Sequence, residues 1–185
     1  MSRMTWDGGK DLQGANLAGA NLTGADLTNA DLVSANLRNA YLADTDLRGV
    51  RLRRAHLLGA HLESANLKDA DLTSANLTAA TAAKASLKGA DLHLSNLKNA
   101  DLHSANLTGA DLTSANLTGA SLNNANLKGT DLTGANLAGA DLTGADLQDA
   151  DLHGANLTRT NLDGVELKDI KGLSREQLAS IALSH

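Results

Sequence analysis

The sequence predicts an all-β solenoid: a chain wound into about eight four-sided coils and closed by a short helix at its C-terminal end. Three observations predict it. Leu recurs every five residues from Leu12 to Leu167, filling 31 of 32 positions, with Ala82 as the exception. Two residues before each later Leu sits a small residue, Ala at 25 of 31 positions and otherwise Thr, Val or Ser. The residue just before each Leu follows a longer period, of twenty. A period of five fits neither the helical repeat of 3.6 nor the alternation of a long strand. It requires a chain that turns a corner every five residues and returns Leu and Ala to the interior each time.

The period of twenty sets the coil. Positions 11, 31, 71, 91, 111, 131 and 151 are Asp, and only Arg51 breaks the series. Positions 16, 36, 76, 96, 116, 136 and 156 are Asn, and only His56 breaks it. The two remaining series are mixed, so a ten-residue repeat is excluded and four pentapeptides complete a coil. Stacked at about 4.8 Å, eight coils over 11–169 make a rod about 38 Å long. Within each pentapeptide Ala and Leu point inward and Asx points outward. Asx side chains bond backbone two residues on and favour tight turns, and Gly or Ser after Leu relieves crowding at the corner. Ala82 is expected to leave a void under one side of its coil, at a cost of a few kcal/mol.

The ends need covering, because terminal coils expose unpaired backbone. At the C-terminal end (170–185) Ser174 and Gln177 form the N-cap and N3 of a capping box, with Leu173 and Leu178 placed as a hydrophobic staple. A helix over about 174–183 is expected to lay Leu178, Ile181 and Ala182 across the last coil. The lead-in 1–10 offers little beyond Met4 and Trp6, and Trp6 is expected to cover the first coil; the other possibility for that end is an end-to-end homodimer.

Composition narrows the function classes. The chain has no Phe, Pro or Cys and only one Trp and one Tyr, so the interior is narrow and built from Leu and Ala. A net charge of −5 argues against a general nucleic-acid or anionic-membrane binder. Without Cys there is no disulfide framework and no thiolate chemistry. The start lacks the apolar core of a signal peptide, and no stretch reaches the length of a membrane helix. A cytoplasmic protein is expected, with no membrane contact.

The pattern A-(D/N)-L-x-x, in register from residue 11 to 167, resembles the pentapeptide-repeat family. The resemblance implies a right-handed quadrilateral β-helix; the spacing indicates four sides but not the hand. It also implies a possible activity, because some members of that family mimic duplex DNA and bind DNA gyrase.

Two sets of residues are candidates for a binding role. The first is the departure from the repeat around residues 41–61: Tyr41, Arg48, Arg51, Arg53, Arg54, His56, Leu58 and His61. Four of the eight Arg fall within seven residues here, and Arg suits desolvated, bidentate contacts. The competing reading is local: Arg51 relieves repulsion between Asp31 and Asp71. The second is an acidic ridge of Asp11, Asp31, Asp71, Asp91, Asp111, Asp131 and Asp151. Turn chemistry alone accounts for it, since Asx is required there. A basic column of Arg48, Lys68, Lys88, Lys128 and Lys168 lies on the neighbouring face. His93 and His153 share a column three coils apart, about 14 Å, too far for joint metal ligation. A filled rod offers no cleft for a nucleophile and its base.

The leading expectation is therefore a non-catalytic scaffold that binds another protein, not nucleic acid directly, with no cofactor and no metal. The alternative is a DNA-mimicking modulator of DNA gyrase, a type II topoisomerase, acting through the acidic ridge. A third is a purely structural spacer.

Overall fold

Residues 11–177 are described in the computed structural model. Every fifth residue forms a parallel bridge with the residue twenty later, from Asp11↔Asp31 through Asp141↔Asn161, and again at Asp151↔Lys171. The coil is thus twenty residues long, as the second period predicts. From coil 1 to face 3 of coil 7 each pentapeptide makes the same bonds. At coil 2, Leu32 N–H donates to Arg51 C=O (2.8 Å), Arg51 N–H to Ala30 C=O (2.9 Å) and Ser34 N–H to Arg53 C=O (2.9 Å). Ala35 N–H closes the corner onto Leu32 C=O at 3.0 Å.

The all-β expectation needs one correction. The pairing consists of isolated single-residue bridges, and no continuous strand occurs among the described residues. A chain that turns every five residues leaves one residue per side in ladder geometry, so the coils are held as firmly as a sheet without containing strands. Coils 1–8 begin at residues 11, 31, 51, 71, 91, 111, 131 and 151. The four stacked pentapeptide columns are called faces 1–4; their central Leu in coil 1 are Leu12, Leu17, Leu22 and Leu27.

The interior holds the repeating Leu and Ala, nearly all shielded from solvent between Leu22 and Ala155. Where Thr replaces Ala, its hydroxyl bonds a carbonyl of the previous coil: the buried Thr45 Oγ1 to Leu22 C=O (2.9 Å), the buried Thr130 Oγ1 to Leu107 C=O (3.0 Å) and the half-buried Thr160 Oγ1 to Leu137 C=O (2.9 Å). Ser95 Oγ, buried at an equivalent position, has no hydrogen-bond partner among the described residues. Ala82 is 2 % exposed and keeps its coil-to-coil bond to Asp101 C=O.

The residue two after each Leu has a positive φ from Gly14 to Asp169, whether or not it is glycine. Gly is therefore favoured there by backbone conformation. Asx side chains one coil earlier lean over Gly49, Gly59, Gly89, Gly119 and Gly144. A Cβ there would collide with Oδ1 of Asn29, Asn39, Asp69, Asn99 and Asn124, one coil earlier in the same column.

The final coil departs from this pairing on face 4. No bridge joins 146 to 166, and among the described residues the N–H groups of Leu147, Asp149 and Glu166 have no backbone acceptor. Here Asp169 follows Asp149 in the column, where Gly follows the Asx residues just named. The gap opens a cleft of about 470 Å³ lined by Lys128, Gly144, Asp146, Leu147, Glu166 and Lys168. Beyond it the capping box forms: Ser174 N–H donates to Gln177 Oε1 (2.7 Å) and Gln177 N–H to Ser174 Oγ (3.1 Å). Gln177 Nε2 also donates to Ala155 C=O (3.1 Å), the acceptor that a further coil would use. The helix is described over 175–177; Leu178, Ile181, Ala182, the lead-in 1–10 and Trp6 lie outside the described residues.

Candidate protein-contact faces

Each outward Asx is first a turn-former. The carboxylates of the acidic ridge accept the backbone N–H two residues on: Gln13 to Asp11 (3.2 Å), Val33 to Asp31 (3.1 Å), Thr73 to Asp71 (3.1 Å), His93 to Asp91 (2.9 Å), Thr113 to Asp111 (2.8 Å), Thr133 to Asp131 (2.9 Å) and His153 to Asp151 (3.0 Å). The Asn series does the same work, as with Thr78 N–H to Asn76 (3.1 Å) and Thr118 N–H to Asn116 (3.1 Å). The two residue types are interchangeable in this role. At Asp151 the backbone bond from His153, reinforced by the imidazole at 2.6 Å, holds the carboxyl below its usual range. Arg51 enters the ridge between Asp31 and Asp71 and pairs with Asp31 at 2.6 Å.

The residues singled out around coil 3 are distributed around the rod. Arg51, Arg53 and Arg54 stand on face 1, His56 and Leu58 on face 2, Tyr41 and His61 on face 3, and Arg48 on face 4. Three of the four Arg are engaged within the chain. Arg48 grips Asp46 through Nε (2.8 Å to Oδ1) and Nη2 (2.7 Å to Oδ2), which lowers the Asp46 pKa and raises that of Arg48. Arg51 takes Asp31, and Arg53 Nε lies 3.7 Å from Asp71. Arg54 is exposed with φ 56°. On face 3 the rings of Tyr41 and His61 stack at 5.0 Å and 9°. His61 Nδ1 is 3.3 Å from Thr81 Oγ1, which donates to Glu63 (2.6 Å).

Leu94, absent from the candidate set, is the most exposed large apolar residue among the described residues at 55 %, on face 1 with φ 58°. The signal was available: Leu at a turn position where every other coil of that face has Gly, Ser or Arg. Among the described residues no group of three His, Asp or Glu side chains converges as a metal site, and no helix is long and apolar enough to cross a membrane.

The family model for pentapeptide repeats matches overlapping segments that together run from residue 11 to 170. The chain is a pentapeptide-repeat protein. Known structures of this family are right-handed quadrilateral β-helices. Its similarity extends to solved members. HetL, a pentapeptide-repeat protein involved in heterocyst differentiation regulation in the cyanobacterium Nostoc sp. strain PCC 7120, is 34 % identical over 89 % of this chain and 90 % of its own, with a TM-score of 0.50. A pentapeptide-repeat protein of the Arabidopsis thaliana thylakoid lumen is 30 % identical over 61 % of this chain and 74 % of its own, with a TM-score of 0.50. QnrB1, a plasmid-mediated fluoroquinolone resistance protein, is 23 % identical over 94 % of both chains, with a TM-score of 0.49. No curated protein matches the sequence.

Proposed function

We propose that this pentapeptide-repeat protein is a non-catalytic scaffold that binds another protein through the outer faces of its solenoid. The supporting observation is the division of labour within each pentapeptide: Leu and Ala fill the interior, and the variable residues face outward on a regular lattice. In this reading the rod is a right-handed, four-sided β-helix over 11–169, flanked by a lead-in at 1–10 and a cap at 170–185. Of the coil-3 residues, Arg54, His56 and Leu58 are the outward groups not held in ion pairs among the described residues.

A second reading makes the acidic ridge the contact surface for a type II topoisomerase. It is favoured by the unbroken run of Asp71, Asp91, Asp111, Asp131 and Asp151 over five coils. Asn forms the same turns, so Asp111→Asn with Asp131→Asn removes charge without removing structure.

The test is capture from a lysate of the source organism on immobilised chain, with competition by free chain. The native chain and the Asp111→Asn/Asp131→Asn variant should retain the same stoichiometric partner. A variant with Ala at positions 48, 51, 53 and 54 shows whether the Arg-rich set contributes. Topoisomerase subunits lost with the two Asp would establish the second reading, and no competed protein at all would leave a spacer.

A further inference from the structure

Face 2 differs from the other three in carrying no acid. Its eight pentapeptides, from 15–19 to 155–159, contain no Asp or Glu, although the chain has 21 of them and a net charge of −5. Its full charges are Arg38, Lys98 and Arg159, at intervals of three coils, or about 14 Å. All three are exposed, and none meets a carboxylate among the described residues. On the other faces Arg48, Arg51, Arg53, Lys68 and Lys128 have carboxylate partners, and the cations without one among the described residues, Arg54, Lys84, Lys88 and Lys168, stand on faces that also carry acid. Between the cations the surface is neutral. Asn side chains bond to one another along the rod, Asn36 to Asn16 (3.0 Å), Asn116 to Asn96 (3.3 Å) and Asn156 to Asn136 (3.1 Å), and Leu58 stands 39 % exposed beside His56.

The fold does not demand this. The Asn-to-Asn bonds give a reason for amide rather than carboxylate at the bridge positions. They give none for the turn positions, where faces 3 and 4 carry Asp44, Glu63, Asp69, Asp149, Asp163 and Asp169. Cations left unneutralised on an acid-free strip keep their charge available for a partner. Nucleic acid is the poorer fit: duplex DNA carries a charge about every 1.7 Å, and three cations spread over six coils engage few of them.

We propose that face 2 is the docking surface for a partner protein that presents a flat, acidic side, with Arg38, Lys98 and Arg159 as its charge contacts and Leu58 at its apolar point. This rests on the protein-binding reading above and assigns it a face and a partner chemistry.

The experiment places the photo-cross-linker p-benzoylphenylalanine, one site at a time, at Thr113, Thr118, Asn123 or Lys128, equivalent turn positions on faces 1–4 of coil 6. The full chain is irradiated in source-organism lysate, with and without nuclease, and adducts are identified by mass spectrometry. The expected result is a nuclease-resistant protein adduct at 118, its peptides mapping to an acidic surface. The combined Arg38→Glu/Lys98→Glu/Arg159→Glu variant should cut its yield at least tenfold. The charge-matched Lys84→Glu/Lys88→Glu/Lys168→Glu variant should leave it within twofold. Protein adducts at 113, 123 or 128 but not 118 would overturn the face assignment while leaving protein binding in place. An adduct at 118 that the face-2 triple leaves intact would overturn the charge argument, and a nuclease-sensitive adduct there would make the ligand nucleic acid. No protein adduct at any of the four positions would remove the protein-binding reading as well.

Discussion

Arg48 and Asp46 form the only bidentate ion pair among the described residues, and its energetics follow from the direction of the Asp46 shift. The carboxyl is held below its ordinary value chiefly by the guanidinium hydrogen bonds, so it titrates at lower pH folded than unfolded. Such a group adds stability above its unfolded pKa and loses it as pH falls through the folded pKa. Arg48→Ala should therefore be slightly less stable than the native chain at neutral pH. The difference should shrink to nothing as pH drops below the carboxylate range, which urea unfolding across pH 2–7 would show; a constant difference would mean that Arg48 acts through packing. Much at this scale was readable from sequence. Asx turns follow from local hydrogen bonding, and the Arg51–Asp31 pair follows from placing a cation between two acids twenty residues apart. The left-handed backbone at the second residue after each Leu was not readable, because Arg54, Lys84 and Leu94 occupy it as well as Gly.

At the scale of the coil, Ala82 is the single break in the central Leu series. Its coil-to-coil bond is intact, and its neighbours along the column, Leu62 and Leu102, are fully buried. Ala82→Leu should thus regain about 1–3 kcal/mol, measured as a higher urea midpoint at unchanged slope. A lower midpoint would show that the neighbours have closed over the site and that the larger side chain overpacks it. The coil length was legible because two of its four series are chemically pure. The opening on face 4 was not legible from the pentapeptide pattern, which is unbroken there.

For the whole molecule, stability in a stacked repeat is a sum over coils and the contacts between neighbours, so loosening begins where contacts are fewest. The amides of Leu147 and Asp149 should exchange with deuterium at least tenfold faster than those of Leu127 and Gly129, which hold the same positions one coil earlier and bond Asp146 and Gln148. Equal protection would show that the face-4 cleft is closed in solution. The candidate contact set is a cluster of unusual residues along the sequence. Closeness in sequence on a rod that turns a quarter every five residues means dispersal around its circumference, which is why the set divides among four faces. Face 2 escaped notice for the opposite reason: its residues are neighbours only at intervals of twenty.

The pairing of each residue with the one twenty later also dictates which length changes the gene can tolerate. Loss of one pentapeptide would keep every Leu inward, and the rod would still fold. Everything downstream, however, would move to the adjacent side, carrying Lys98 and Arg159 away from Arg38. Loss of four together would shorten the rod by one layer and leave each side's identity intact. Duplication or excision in units of twenty codons therefore changes reach while preserving what the surface says to its partner, and any other multiple of five scrambles that message while still turning every Leu inward.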